Sequence, residues 1–313
     1  MKFVSESESA SIVDHALAYE AVRQAFIAAV DPGSRVFPAV IAHGSDRANR
    51  FSLKAGVTSA LAGVKMGFNW PANKLRSMPS HNSIIVILDQ EVGKIEAVIE
   101  AGVANAYRTS AANAVATDVL ARPDAHTLAI FGAGNQAGYE CAAIARIRPI
   151  TQVLVVNRDE SRGQAFAERL RRDGMNASVV PTQHACEVAD IIVTATASQI
   201  PLFDAGWVRP GTHVSAMGAD SKGKQELPVS LLLRSRLFCD LPEQSLRIGE
   251  FQHISDAASA AVQSVTAIGS ILMGAAAGRN SASEITVFDS SGIALQDLFI
   301  GRCILEALRA RES

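Results

Sequence analysis

An α/β chain with a Rossmann-type doubly wound parallel sheet, joined to a smaller β-rich α+β domain, is what the 313-residue sequence predicts. Three observations carry this. A short apolar run, Thr127 to Phe131, leads directly into Gly132-Ala133-Gly134-Asn135-Gln136-Ala137 and then into helical spacing. From there on, apolar runs alternate with helical stretches, the order of a sheet covered on both faces. Residues 35 to 104 instead read as successive short strands.

The glycine turn has the G-x-G-x-x-A form of the dinucleotide fingerprint. Gly132 makes the tight turn, Gly134 lets backbone approach a pyrophosphate, and Ala137 is small enough for helix–strand packing. A helix from Ala137 to about Arg146 would turn free N–H groups and a partial positive charge toward the phosphates. The context the motif needs is present, with a strand before it, a helix after it, and a second apolar strand at Gln152 to Val156. Where that strand ends, NAD enzymes commonly carry an acidic residue for the ribose. Here Asn157 and Arg158 stand, followed by Asp159. An uncharged Asn and a guanidinium suit a 2′-phosphate, so NAD(P)H is expected, with NADPH favoured over NADH.

Charged residues make up 19% and apolar residues 48% of the chain, as in ordinary soluble proteins. A net charge of −2 speaks against a nucleic-acid surface. Cys141, Cys186, Cys239 and Cys303 lie far apart, without metal-ligand spacing, which suits a reducing, cytoplasmic compartment and no metal. The opening MKFVSESESASIVDHALAYEAV lacks an apolar h-region. No apolar run has membrane-spanning length; 257 to 277 is Ala-rich, but Asp256, Gln263 and Ser264 fit a packed helix better.

In chain order, the spacing of Ile12, Val13, Ala16, Tyr19, Val22, Phe26 and Ala29 predicts a helix over about 11 to 30, ended by Asp31-Pro32-Gly33-Ser34. Strands are predicted at 36–41, 51–56, 63–69, 83–89 and 94–99, largely antiparallel, with a hairpin break at 90–93. A helix rich in small residues starts near Asn105 and is closed by Pro123. After the fingerprint come a helix at 160–172 with an apolar stripe of Phe166, Ala167 and Leu170, a strand at 177–180 and a short helix at 184–189. Strands follow at 191–195, 213–217, 237–240 and 285–288, and a last helix at 293–308.

Lys54 in FSLKAG and Lys65 in GVKMGFNW are flanked by apolar residues and glycine rather than by charges. A buried ammonium needs a partner, and a substrate carboxylate is one. Arg108 in AYRTSAA sits near a predicted helix start, where the macrodipole favours anions; an anion held there would explain the placement. Its planar fork matches a carboxylate. Asp220, just past the predicted 213–217 strand, lies where open α/β sheets bind ligands, though a turn before Ser221-Lys222-Gly223 explains it equally well. His81 in PSHNS is a weaker candidate.

Taken together, GVKMGFNWPAN, PSHNSIIVILDQEVGK, YRTSAANAVATDVLARPD, FGAGNQA, VVNRD, GADSKGKQEL and ITVFDSSGIALQD resemble the ornithine cyclodeaminase/mu-crystallin family over nearly the whole chain. The resemblance implies a homodimer with a substrate-binding and dimerisation domain, 1–118 with 293–313, and a Rossmann domain, 119–292. It implies substrate-carboxylate roles for Lys65 and Arg108, with Lys65 also a candidate proton donor, and an acid/base role for Asp220. Ser80 and His81 match the PSH of mu-crystallin. Thr109, Asn135, Gln136, Asn157, Arg158, Thr196 and Ser291 fall where the family contacts its cofactor. One element departs from the family pattern: Phe37-Pro38-Ala39-Val40 lacks the usual Arg, while Lys54 appears in FSLKAG with Arg50 nearby. That combination is similar to the reductases of small imino acids.

These readings lead to an NAD(P)-dependent oxidoreductase acting on a small α-imino or amino acid. Lys54 would suit a second substrate carboxylate. The alternatives are an ornithine cyclodeaminase-type lyase that recycles its NAD, and a non-catalytic, crystallin-like nucleotide-binding protein.

Overall fold

The computed structural model describes residues 1–254 and 265–312. The chain forms two compact units, Met1–Arg108 with Ile293–Ser313, and Thr109–Gly292. The sequence places the division after residue 118; in the structure the chain passes from one unit to the other at Arg108, within a single helix.

The first unit is built on a seven-stranded sheet. Its strands are β1 (Lys2–Val4), β2 (Arg35–Val36), β3 (Val40–His43), β4 (Arg50–Val57), β5 (Ala62–Asn69), β6 (His81–Asp89) and β7 (Lys94–Glu100), in the order β1-β7-β6-β5-β4-β2 with β3 also on β4. All pairings are antiparallel except β1 with β7, which is parallel. The predicted strand at 36–41 is two short strands, because Pro38 has no N–H for a ladder. The predicted helix at 11–30 is likewise two. Ser5 and Glu8 form a capping box at the start of α1 (Glu6–Ile12), and Asp14 caps α2 (His15–Ala29) by accepting from Leu17 N.

Alternation along the strands gives the sheet two unlike faces. Val4, Ile99, Ile85, Lys65 and Lys54 form one cross-strand row on the buried face. That face packs on the C-terminal helix, Ala294–Glu312, which in turn packs on α2. Close approach is built in at Gly63, where an added Cβ would lie 2.2 Å from Val86 O and 2.8 Å from Leu298 Cδ2. Phe3, Val98, Val86, Val64 and Ala55 form a row on the opposite face, apolar throughout.

The Ala-rich helix α3 spans Gly102–Leu120, three residues earlier than the sequence suggests. Arg108 is therefore in its second turn, not at its start. The anion at the helix N-terminus belongs to this same chain: Glu6 accepts from Gly102 N and Val103 N, each at 2.8 Å.

Among its described residues, the second unit is built on an eight-stranded, all-parallel sheet of β8 (Thr127–Phe131), β9 (Gln152–Val156), β10 (Ala177–Val179), β11 (Ile191–Thr194), β12 (His213–Ala216), β13 (Arg236–Cys239), β14 (Thr266–Ala267) and β15 (Thr286–Asp289). Their order is β10-β9-β8-β11-β12-β15-β13-β14. The described helices are α4 (Asn135–Ile147), α5 (Glu160–Arg172), α6 (Thr182–Val188), α7 (Val229–Leu232), α8 (Pro242–Ile248), α9 (Ile268–Leu272) and the C-terminal α10 (Ala294–Glu312), which returns to the first unit. Phe166, Ala167 and Leu170 are buried along α5, as their spacing predicts. The packed helix expected at 257–277 falls partly outside the described residues, Asp256, Gln263 and Ser264 included; from Thr266 on, β14 and α9 stand in its place. No helix among the described residues is long and apolar enough to cross a membrane.

The strands run outward from β8 to β10 on one side and from β11 onward on the other, so the direction of winding changes between β8 and β11. Ligands of such sheets bind at the carboxyl ends beside that switch point.

Replacing Glu6 by Ala removes both N–H acceptors at the start of α3. We expect it to destabilise the protein by about 1–2 kcal/mol, read as a lower urea midpoint; an unchanged midpoint would show that water replaces the cap.

Candidate active site

In the first unit, Lys54 and Lys65 are direct cross-strand partners in the β4–β5 register. Such side chains start about 5 Å apart, and like charges there are unfavourable. Both are nevertheless buried, at 8% and 3% exposure, and Arg108 is at 7%. The cations are organised by two amides and one carboxylate. Asn105, one turn before Arg108 on α3, accepts from Lys65 Nζ at 3.0 Å and from Arg108 Nη2 at 2.7 Å through the same Oδ1. Arg108 Nε donates to Asp297 Oδ1 at 3.1 Å and Nη1 to Gln296 Oε1 at 3.3 Å, both from α10. Asp297 Oδ2 and Gln296 Nε2 are buried and have no hydrogen-bond partner among the described residues.

Beside the lysines the sheet carries small residues. Ser52, Gly67 and Ser83 form the adjoining cross-strand row on the same face. A Cβ on Gly67 would lie 3.0 Å from Lys65 Nζ and 3.2 Å from Ser52 Oγ. His81 is exposed, at the start of β6, in a row with Asn69 and Arg50. It shares the face of Lys65 but lies two rows away, roughly 13 Å along the strand direction. The structure thus gathers Lys54, Lys65 and Arg108, and leaves His81 outside that group.

In the second unit the candidate cofactor residues, apart from Thr109 on α3, follow the carboxyl ends of the strands. Gly132 has φ +113°, and a Cβ there would lie 2.8 Å from Ala195 O, so only glycine fits. Gly134 is the N-cap of α4 and makes no side-chain cap bond. A Cβ at Gly134 would meet nothing within 4 Å, which leaves its backbone and the first N–H groups of α4, at Asn135, Gln136 and Ala137, open to a pyrophosphate. The cradle thus fits a dinucleotide. Ala137 is fully buried, and Gln136 Nε2 donates to the buried Glu140 at 2.7 Å.

At the end of β9, Asp159 is committed elsewhere: it caps α5 by accepting from Arg162 N at 3.1 Å and Ser161 Oγ at 2.8 Å. These hydrogen bonds hold its carboxyl below the usual range. Asn157 Nδ2 donates to Asp159 O at 2.7 Å, and Arg158 is exposed. Thr196 follows β11, and Thr109 lies on α3 as the first residue of this unit. Ser291 follows β15; its Oγ donates to Asp240 Oδ1 at 3.2 Å and accepts from Gln244 Nε2 at 2.8 Å.

Asp220 lies four residues past the end of β12. Its carboxylate accepts from Lys224 Nζ at 2.7 Å, and Lys224 also donates to Gly218 O at 3.0 Å. A salt bridge thus ties down the loop.

Sequence reasoning missed Asn105, Gln296, Asp297, Lys224, Glu226 and Glu250. Asn105 stands at i−3 from Arg108 and Lys224 at i+4 from Asp220, so local spacing held a signal for both. Glu226 and Glu250 had none: each is fully buried and meets its partners only through the fold. Glu226 accepts from Thr194, Thr196 and Gly218. Glu250 accepts from Glu226 N at 3.0 Å and Leu227 N at 2.7 Å. Burial pushes the Glu250 carboxyl up to about 8, against the two N–H donors and with added repulsion from Glu226.

A sequence model described as the ornithine cyclodeaminase/mu-crystallin family matches residues 1–312. The chain is 32% identical over 308 residues to an iminosuccinate reductase of Paracoccus denitrificans, covering 98% of this chain and 96% of that one. The structure of an iminosuccinate reductase of that organism, in complex with NAD+, superposes with a TM-score of 0.91 at 31% identity, over 100% of this chain and 97% of the other. An archaeal alanine dehydrogenase dimer with bound NAD gives 0.93 at 29% identity, with the same coverages of 100% and 97%. Thermococcus litoralis Δ1-pyrroline-2-carboxylate reductase, with NADH and L-proline, gives 0.91 at 27% identity, covering 99% of this chain and 98% of the other.

Because Glu250 is neutral in the fold up to about pH 8 but ionises near 4.5 when unfolded, its contribution is complete below 4.5 and lost as pH rises through about 8. Glu250→Gln keeps an acceptor and removes the titration. Its unfolding free energy relative to the parent should therefore rise between pH 4.5 and about 8; a constant difference across that range would contradict the shift.

Proposed function

The chain belongs to the ornithine cyclodeaminase/mu-crystallin family, and on that premise we propose that it is an NAD(P)H-dependent oxidoreductase. It reduces the imine carbon of a small α-imino acid, or in reverse oxidises the amino acid. The buried Lys65–Asn105–Arg108 array carries this reading. Asp297 offsets part of the cost of burying these cations, and a substrate α-carboxylate, with the right charge and planarity, would offset more of it. The relatives named as iminosuccinate reductase and Δ1-pyrroline-2-carboxylate reductase support it.

Bound nicotinamide supplies the hydride. Arg108 and Lys65 hold the substrate carboxylate, and so orient the imine carbon. Asp297 and Gln296 fix the guanidinium in turn. Asp220 attends the imine nitrogen, and either it or Lys65 supplies the proton that the nitrogen needs once the C=N pair has moved onto it. Lys54 takes a second carboxylate, so an α-imino diacid is the favoured substrate. His81 is assigned a secondary place at the rim of the substrate face.

The cofactor residues are Thr109, Gly132, Gly134, Asn135, Gln136, Ala137, Asn157, Arg158, Thr196 and Ser291. Since Asp159 is taken up as a helix cap, Asn157 and Arg158 are left to meet the adenosine ribose, and NADPH is preferred over NADH. A second copy of the chain covers the apolar row of Phe3, Val98, Val86, Val64 and Ala55, in keeping with the alanine dehydrogenase dimer. The four cysteines are free, in keeping with a cytoplasmic setting.

The test is loss of reduced-nicotinamide absorbance with a panel of cyclic imines and of keto acids plus ammonia, NADH and NADPH side by side. Stoichiometric oxidation is expected, fastest with an imino diacid and NADPH. Arg108→Lys should raise the imine KM about tenfold to a hundredfold, since a charged hydrogen bond is worth about 1.5–3 kcal/mol. Lys54→Ala should penalise the diacid more than a monocarboxylate. Ammonia release from ornithine with no net cofactor change would overturn the reading in favour of a cyclodeaminase. Tight nucleotide binding with no turnover of any kind would favour a binding protein.

A further inference from the structure

We propose that Glu226 is a positioning residue that locks Thr196 and the Gly218–Asp220 segment into one arrangement, and so sets a cofactor contact and the acid/base residue together. The inference rests on the roles given above to Thr196 and Asp220.

Four donors converge on this one carboxylate. Oε1 accepts from Thr196 N and Thr196 Oγ1, both at 2.7 Å. Oε2 accepts from Thr194 Oγ1 at 2.7 Å and from Gly218 N at 2.9 Å. Thr194 ends β11, and Gly218 follows the neighbouring parallel strand β12, which it pairs at Thr194↔Ala216. The side chain therefore bridges two strand ends just where the ladder stops. There is no slack around it: a Cβ on Gly218 would lie 2.3 Å from Thr196 O and 2.6 Å from Glu226 Oε1. Glu226 is fully buried, and its own N–H is held by Glu250. From Gly218 the chain runs directly to Asp220, whose salt bridge to Lys224 fastens the far side of the same loop.

Each carboxyl oxygen receives one backbone N–H, so both must accept. An amide of the same shape satisfies only one side and turns its NH2 against an N–H on the other. Glu226→Gln is thus a near-isosteric variant that breaks the bridge.

Three measurements on purified Glu226→Gln decide the matter. Amide hydrogen exchange of the nucleotide-free protein should be at least about tenfold faster at Thr196 or Gly218, with Ile130 in β8 unchanged. NADPH affinity, read by nucleotide fluorescence, should weaken about tenfold, and kcat per folded molecule for the imine should fall. A purely structural Glu226 would instead lower the unfolding midpoint while leaving nucleotide affinity and kcat per folded molecule as in the parent, and that result would overturn the proposal. If the Gln variant does not fold, Glu226→Asp, too short to reach both strand ends, is read by the same three criteria. Asp220→Asn, run in parallel, separates the two claims: it should remove turnover and keep NADPH affinity. A parent that turns over no imine, with an NADPH affinity that still falls in Glu226→Gln, sinks the proposed reaction and leaves the positioning role standing.

Discussion

The structure depends first on the cost of taking cations out of water. Lys54, Lys65 and Arg108 are each less than one-tenth exposed, and two of them are directly opposed across a β ladder. An arrangement of this kind is not chosen for stability, because apolar residues at the same positions would pack at lower cost. Asn105 places one carbonyl oxygen between Lys65 and Arg108, so both cations share a neutral acceptor, while Arg108 is also paired with the buried Asp297 carboxylate. Asp297 and Gln296 hold the guanidinium from the C-terminal helix, which packs on the sheet of the first unit.

The second unit solves a different problem, that of presenting backbone rather than charge. Its sheet ends in turns whose spacing is set by forbidden Cβ atoms at Gly132 and Gly218. Where the ladder between β11 and β12 stops, the strand ends would diverge, and a buried carboxylate takes over as the link. Behind it lies a second buried carboxyl, Glu250, kept neutral at ordinary pH by burial. Further along the same edge Asp240 orders Ser291 and Gly292 N. The edge is thus braced by acids whose desolvation is met by hydrogen bonds from the loops they hold.

Much of this was legible in the sequence, for identifiable reasons. The strands at 127–131 and 152–156 and the helix at 160–172 match their predicted bounds, because buried parallel strands are apolar without interruption and α5 has a clear apolar stripe. Lys54 and Lys65 stood out because they interrupt apolar strands. What failed was local. A capping box at Ser5 and a second cap at Asp14 divide one periodic stretch into two helices, and a proline divides one strand. Arg108 was selected on a helix-start argument that the structure corrects, since Glu6 already serves that helix end. Glu226 and Glu250 were not legible at all: a glutamate in a loop looks solvated until the fold buries it.

The central claim is that the Asn105-centred cations form a receptor for a carboxylate. It is tested most directly without any reaction, by calorimetric titration of succinate, a saturated dicarboxylate, into the parent protein and into Asn105→Ala, at low and high salt. The account predicts saturable binding to the parent that weakens at least about tenfold in the variant, as Lys65 and Arg108 lose their common acceptor, and that competes with the imine substrate. Equal succinate affinity in the two proteins, or none in either, would contradict it.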